Sequence, residues 1–72
     1  MSTLSVSDLP RFGRRLRRRR EEIRLTPTLA AKRAGISLAS LCNIEDGRNL
    51  PSLPVYQNLC HVLRISPGKL LA

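Results

Sequence analysis

The stretch from Thr26 to Glu45, TPTLAAKRAGISLASLCNIE, constrains the fold more than any other part of the chain. It predicts two short helices joined by a tight turn. Thr26 is suited to cap the first of them, and Pro27 fits its first position, where the missing N–H costs nothing. Gly35 is the residue type that most often ends a helix in a left-handed conformation. Ser37 can then cap the second helix.

The side chains within this stretch fit a helix-turn-helix motif. Ala30, Ala31 and Ala34 give the first helix a small-sided surface that another helix can approach closely. Ile36 is apolar and can fill the corner, and a spacing of three residues places two further apolar side chains, Leu41 and Ile44, on the second helix. A helix-turn-helix requires this order of cap, small helix, glycine turn, apolar corner residue, cap and second helix. We therefore predict helices over residues 27–34 and 38–46.

Further elements of the pattern recur in order along most of the chain. They are Leu16-Arg17, Arg20-Glu21, Leu25-Thr26, Ala31, Ala34-Gly35-Ile36-Ser37, Leu41, Ile44-Glu45-Asp46-Gly47-Arg48, Pro51-Ser52-Leu53, Leu59 and Leu63. From Leu16 to Leu70 the chain resembles a helix-turn-helix domain of the lambda-repressor and Cro-like family. The resemblance implies an all-α fold: a compact bundle of about five short helices that binds DNA. We expect this domain to span residues 8–72, with residues 1–7 as a flexible N-terminal arm.

The composition fits one small domain that binds a polyanion. The chain has 72 residues, and 13 Lys and Arg against 5 Asp and Glu give a formal net charge of +8. This balance favours nucleic acid first and an anionic membrane surface second. No apolar run approaches the ~20 residues that span a bilayer, and the N-terminus lacks the basic-then-apolar order of a secretory signal. We therefore expect a cytoplasmic protein.

Residues that could carry chemistry are few. Cys42, Cys60 and His61 do not supply four ligands at the paired spacings of a zinc site, so we expect no metal and no cofactor. The cysteines are interpreted as ordinary reduced thiols, with redox sensing through Cys42 as the alternative. The sequence offers no nucleophile–base pair, no paired carboxylates and no phosphate-cradling Gly-rich loop. An enzyme is therefore not expected.

Three other helices complete the predicted bundle. The first runs from about Asp8 or Leu9 to Ile23, with an apolar stripe of Leu9, Phe12, Leu16 and Ile23. The fourth runs from about Leu53 to Leu63, with a core stripe of Leu53, Tyr56, Leu59, Cys60 and Leu63. Ser66 and Pro67 open a short final helix. Val55, Val62, Leu70 and Leu71 either build a two-fold dimer interface or complete the small core.

The first helix also carries a dense run of arginines. Eight of the 13 cationic residues lie at or before Arg24. Such a cluster makes sense beside DNA phosphates, and the alternative is a solvated helix face. Arg20 lies only ~40° around the helix from Leu16, so it needs an anionic partner. The family resemblance implies that this partner is Glu45, in a structural salt bridge that ties the first helix to the end of the third.

The residues expected to bind DNA follow from the resemblance. Ser37, Leu38, Ala39, Ser40 and Asn43 occupy the positions that meet bases and nearby phosphates. Asn43 can bond N6 and N7 of adenine, and Leu38 or Ala39 can touch a thymine methyl group. Since this helix carries no arginine and no glutamine, we expect a readout that leans toward A·T pairs.

Contacts to the DNA backbone are expected on either side of the reading helix. Thr26 and Thr28 add hydroxyl donors at a helix N-terminus, which is an anion site. Arg48 and Asn49 lie where the family contacts the backbone, and Arg17 joins them from the first helix.

Together these features predict a sequence-specific regulator of transcription that binds double-stranded DNA. In its simplest form it is a dimeric repressor that reads a palindromic operator, that of its own promoter, with helix 38–46. The alternative is an antitoxin or another protein-binding component that also binds its own operator. A basic amphipathic helix lying on an anionic membrane is a third possibility, but its apolar stripe is needed for the core.

Overall fold

The computed structural model describes residues 9–71, and the side chains of residues 10–70. Five helices follow one another: α1 (Leu9–Glu22), α2 (Pro27–Ala34), α3 (Leu38–Glu45), α4 (Leu53–Leu63) and α5 (Pro67–Leu71). The described residues contain no strand, so the predicted all-α fold is confirmed. The predicted bounds of α2 and α4 match, whereas α1 and α3 each end one residue early. The predicted arm, residues 1–7, lies outside the described residues.

The core is built from aliphatic side chains contributed by every helix. Its largest fully buried members are Leu16, Leu41, Leu59, Leu63 and Leu70. Phe12 and Ile44 are also buried, and Ile23 packs against the cluster from its edge. The apolar stripe predicted for α1 therefore faces the core as far as its side chains are described, since that of Leu9 lies outside them.

Small residues let α2 and α1 approach their neighbouring helices closely. Ala30 and Ala34 are fully buried where α2 packs against α3 and α4. Gly13 does the same for α1, because a Cβ atom at this position would overlap the carbonyl oxygens of Ile44 and Glu45. The end of α3 therefore lies directly on the backbone of α1.

Four helices end in the same way. Arg24, Gly35, Gly47 and Arg64 follow α1 to α4 with φ angles of 57°, 77°, 79° and 55°, in the left-handed region. In α2, for example, the Gly35 N–H donates to the Lys32 carbonyl at 3.2 Å and the Ile36 N–H donates to the Ala31 carbonyl at 3.0 Å. These bonds satisfy carbonyls that a helix end leaves free.

One prediction about the C-terminal half is wrong, and one open alternative is decided. Leu53 was expected in the core but is 67% exposed. It is the first residue of α4, and side chains lean toward a helix N-terminus, so it lies beyond the buried cluster. For Leu70 the sequence left a dimer surface and the core as alternatives, and the structure places it in the core, 1% exposed, because α5 folds back against α1 and α4. Val55 and Val62 pack partly buried against the core.

The described residues contain no helix that is both long enough and apolar enough to cross a bilayer.

Candidate nucleic-acid interface

The starts of α2 and α3 are fixed by hydroxyl caps. Thr26 Oγ1 accepts a hydrogen bond from the Leu29 N–H at 3.3 Å. Ser37 Oγ accepts from the Ser40 N–H at 3.0 Å and donates to Ser40 Oγ at 2.9 Å. The Ser37 hydroxyl is thus committed within the helix, whereas the hydroxyl hydrogens of Thr26 and Ser40 are free to donate to an incoming acceptor.

One face of α3 points away from the fold. Leu41, Ile44 and Glu45 are buried against the core and α1. The opposite face consists of exposed residues and the half-buried Asn43; its exposed members are Leu38, Ala39, Ser40 and Cys42. Four of the five side chains predicted to meet bases and nearby phosphates, all but the capping Ser37, therefore share one surface with Cys42. We call this surface the reading face (residues 38, 39, 40, 42 and 43). At ~1.5 Å per residue, a helix of this length fits across a ~12 Å major groove.

The flanking residues predicted to contact the DNA backbone are also exposed. Thr26 and Thr28 lie at the start of α2, and Arg48 and Asn49 follow the end of α3. The Arg48 N–H donates to the Asn43 carbonyl at 2.9 Å, so this loop begins immediately beside the reading face.

Arg20 and Glu45 form the buried pair at the centre of the α1–α3 contact. Arg20 Nε donates to Glu45 Oε2 at 2.7 Å, and Arg20 Nη2 donates to Glu45 Oε1 at 3.1 Å. The two side chains are only 9% and 3% exposed. The hydrogen bond to Glu45 raises the pKa of the Arg20 guanidinium. This two-pronged geometry suits a planar guanidinium and a carboxylate.

The same guanidinium also sets the position of α2. Arg20 Nη1 donates to the Leu25 carbonyl at 2.9 Å, one residue before the Thr26 cap. One arginine therefore holds both the entry to α2 and the end of α3. The orientation of the reading face relative to α1 depends on this residue.

Arg17 is held by two carboxylates beside this pair. Its Nε lies 3.3 Å from Glu45 Oε1 and its Nη2 lies 3.2 Å from Asp46 Oδ1. The side chains of Arg17 and Asp46 are 48% and 44% exposed. A phosphate contact by Arg17 thus requires it to leave these partners, while Asp46 is partly neutralised beside the expected DNA surface.

The arginine run of α1 divides into residues with different roles. Arg19 Nε donates to the Leu63 carbonyl at 2.9 Å and its Nη2 donates to the Arg64 carbonyl at 3.1 Å, so Arg19 caps the end of α4. Nothing in the local sequence separates Arg19 from its neighbours, because its partners lie more than 40 residues away. The exposed arginines on the outer side of α1 are Arg11, Arg14 and Arg18.

The two cysteines have opposite environments. The Cys42 thiol is exposed on the reading face, and Cys60 is buried, where desolvation raises the pKa of its thiol. No group of three or more potential metal ligands occurs within residues 9–71.

Comparison with known proteins identifies the class of this fold. The bundle and its outward-facing third helix define a helix-turn-helix domain, and the family model described as "Helix-turn-helix domain" matches residues 11–72. The chain belongs to this family of DNA-binding domains. The predicted resemblance to lambda-repressor-like domains is therefore confirmed.

Two solved structures share the fold. One is the restriction-modification controller protein C.AhdI from Aeromonas hydrophila, with 31% identity, a TM-score of 0.84, and coverage of 89% of this chain and 97% of that chain. The other is the clp gene regulator ClgR from Corynebacterium glutamicum, with 24% identity, a TM-score of 0.85, and coverage of 97% and 72%. The first is described as a controller protein and the second as a gene regulator. No curated protein matches the chain.

Proposed function

We propose that the protein is a sequence-specific regulator of transcription that acts in the cytoplasm as a dimeric repressor. It reads a two-fold operator through the major groove with α3. The restriction-modification controller with which it shares 31% identity supports a regulatory role.

The outward orientation of α3 carries this proposal. Its buried side holds Leu41, Ile44 and Glu45, so Ala39 and Asn43 can face a duplex without disturbing the core. Asn43 is the only amide on the reading face, and it can form two hydrogen bonds with adenine. The remaining side chains of this face are apolar, hydroxyl or thiol groups, which favours A·T-leaning contacts and a contribution from DNA shape.

Contacts to the DNA backbone come from the start of α2 and from the loop after α3. The free hydroxyl hydrogens of Thr26 and Thr28 and the N–H groups at the start of α2 suit one phosphate. Ser37 caps α3 and so presents its backbone, not its hydroxyl, to the duplex. Arg48 and Asn49 suit a second phosphate. Arg17 can leave its partner Asp46 and bind a third phosphate.

Dimerisation is proposed to involve exposed leucines between α3 and the first turn of α4. Leu50 and Leu53 are 44% and 67% exposed, and Leu50 lines a groove together with Ile36 and Val55. Apolar side chains of this size suit a self-complementary two-fold contact. The same surface is the feature that favours the alternative function, in which an antitoxin-like chain binds a different protein there.

Selection from a random duplex library tests the proposal. We expect an A·T-leaning consensus with two half-sites about 10 bp apart, and protection of both by footprinting. Asn43→Ala should lower affinity for the selected duplex about tenfold by loss of a bidentate base contact. Gln57→Ala, which truncates an exposed amide on α4, serves as the matched control and should bind normally.

Two results would contradict the proposal. The first is a selection that yields no consensus, and the second is equal binding by the Asn43→Ala and Gln57→Ala variants. The dimer is tested separately by sedimentation of the Leu53→Asp variant, which should be monomeric at concentrations where the original chain is dimeric. A chain that stays monomeric both free and on its duplex would remove the dimer from the proposal.

A further inference from the structure

Leu38 is an exposed apolar side chain for which the fold provides no cover. It is the first residue of α3 and is 45% exposed, whereas Leu41, three residues on, is 1% exposed. The other large exposed apolar residues are Leu29, Leu50 and Leu53. Within the described residues, Leu38 is thus the only one that belongs to the reading face.

The hydroxyl group nearest to Leu38 along the chain is already hydrogen-bonded within the protein. The preceding hydroxyl, of Ser37, is bonded to the N–H and the hydroxyl of Ser40. The following residue, Ala39, is exposed and adds a second methyl group. The side chains of Leu38 and Ala39 at the N-terminal tip of the reading face therefore offer carbon rather than hydrogen-bonding groups.

Only one feature of a base edge in the major groove matches such a tip. Each base presents nitrogen or oxygen donors and acceptors there, and thymine alone among the four adds a C5-methyl group. Cytosine methylated at C5 carries the same methyl group at the same ring position. An apolar reader of this kind therefore responds to the methyl group, whichever pyrimidine bears it.

We infer that Leu38, supported by Ala39, recognises a pyrimidine C5-methyl group, so that binding of this protein responds to the cytosine methylation state of its DNA. This inference rests on the proposed function, since it requires α3 to lie in the major groove. Burial of one methyl-sized group corresponds to about a fourfold change in affinity.

Two sets of duplexes test the inference, the first to locate the contacted position and the second to compare four bases there. Each thymine within the footprint is replaced in turn by deoxyuridine, which removes only the methyl group, to find the position that Leu38 contacts. At that position duplexes carrying thymine, uracil, cytosine and 5-methylcytosine are compared by mobility shift. We expect thymine to bind about fourfold tighter than uracil, and 5-methylcytosine to bind tighter than cytosine by a similar ratio.

Substitutions assign the effect to Leu38. In Leu38→Ala both ratios should fall close to one, and the exposure of Leu38 means that the fold should persist, as circular dichroism can verify. Leu29→Ala truncates a leucine of 43% exposure on α2 and should keep both ratios. Asn43→Ala should weaken binding to all four duplexes while it also keeps the ratios.

The outcomes separate this inference from the proposed function. Specific binding without a difference between thymine and uracil at any position overturns the methyl recognition alone. Ratios that persist unchanged in Leu38→Ala overturn the assignment to Leu38. Loss of preference for any duplex sequence overturns the proposed function and this inference together.

Discussion

At the scale of single residues, the most consequential side chain is Glu45. It is 3% exposed and accepts hydrogen bonds from Arg20 and Arg17, so two helices depend on one carboxylate. Burying a charge is costly, and the pair repays that cost only while both partners are present. The contact therefore specifies the position of α3 more than it adds net stability.

Removal of this carboxylate should be strongly destabilising. In Glu45→Ala the guanidinium of Arg20 stays buried without its partner, and we expect the free energy of unfolding to fall by about 3 kcal/mol. Urea denaturation, monitored by circular dichroism, measures this change. Glu22→Ala removes an equal charge from a side chain that is 52% exposed, and it should shift stability by less than about 0.5 kcal/mol. Similar losses in both variants would show that Glu45 has no special role.

A second residue-scale prediction concerns Gly13. Alanine normally favours a helix interior by about 1 kcal/mol over glycine. At Gly13, however, the added methyl group would meet the carbonyl oxygens of Ile44 and Glu45. We expect Gly13→Ala to reduce the free energy of unfolding by about 2 kcal/mol, because the α1–α3 contact must open.

Gly68 provides the matched control for this substitution. It also lies in a helix, and a Cβ atom there would have no neighbour within 4 Å. Gly68→Ala should therefore be neutral or slightly stabilising in the same urea experiment. A Gly13→Ala protein as stable as the Gly68→Ala protein would mean that α1 and α3 do not pack this closely.

At the scale of helices, the shared left-handed ending explains how so short a chain reverses direction four times. The residues after Arg24, Gly35 and Arg64 are Leu25, Ile36 and Ile65, and all three pack against the core. The ending of α3 differs, because Gly47 is followed by Arg48, which is exposed. The helix that carries the reading face is thus the one whose ending presents a cation instead of an apolar anchor.

Arg24 occupies a conformation that suits glycine better. A left-handed conformation costs a non-glycine residue about 1–2 kcal/mol, so Arg24→Gly should raise the free energy of unfolding by about 0.5 to 1 kcal/mol after the added flexibility of the unfolded chain is subtracted. Gly35→Ala, at the equivalent position of α2, should lower stability by about 1 kcal/mol. Thermal and urea denaturation compare the two variants. A loss of stability in Arg24→Gly would contradict this account.

Local signals in the sequence were sufficient for much of the fold. The threonine and serine caps, Pro27 and Gly35 place α2 and α3 because each acts within a few residues. The endings at Arg24 and Arg64 have no such signal, since arginine rarely adopts a positive φ. The choice between core and surface for Leu70 could not be made either, because it depends on where α5 folds back.

The residues of the candidate interface also divide into those that local sequence signals predict and those that depend on distant partners. The helical period alone turns Ala39 and Asn43 outward once Leu41 is buried. The roles of Arg19 and Gly13 arise from partners that lie far away along the chain, on α4 and α3. A dense arginine run therefore looks uniform in the sequence, although the structure uses its members for a cap, a buried pair and an exposed face.

At the scale of the whole molecule, charge is distributed unevenly around the bundle. Arg14 and Arg18 are exposed and lie ~160° around α1 from the buried Leu16. They face away from the core, whereas Arg48 adjoins the reading face. Under the proposed function, Arg48 is a cation that contacts DNA beside α3, and we expect Arg14 and Arg18 to attract DNA without touching it.

The two groups should affect different rate constants. Replacement of Arg14 and Arg18 by glutamine should slow association with the selected duplex several-fold at low salt and leave dissociation unchanged. Arg48→Gln should speed dissociation and reduce the slope of log affinity against log salt by about 0.9. Surface plasmon resonance at several salt concentrations distinguishes the two. Faster dissociation in the Arg14/Arg18 variant would place these residues in the contact itself.

The separation between the two sides of α3 has a consequence for how such proteins can diversify. Leu41, Ile44 and Glu45 hold the helix in the bundle, and none of them belongs to the reading face. Positions 38, 39, 42 and 43 are therefore exchangeable without loss of the scaffold. A library randomised at these four sites alone should yield folded domains with new DNA preferences, each carried by the same 72-residue framework.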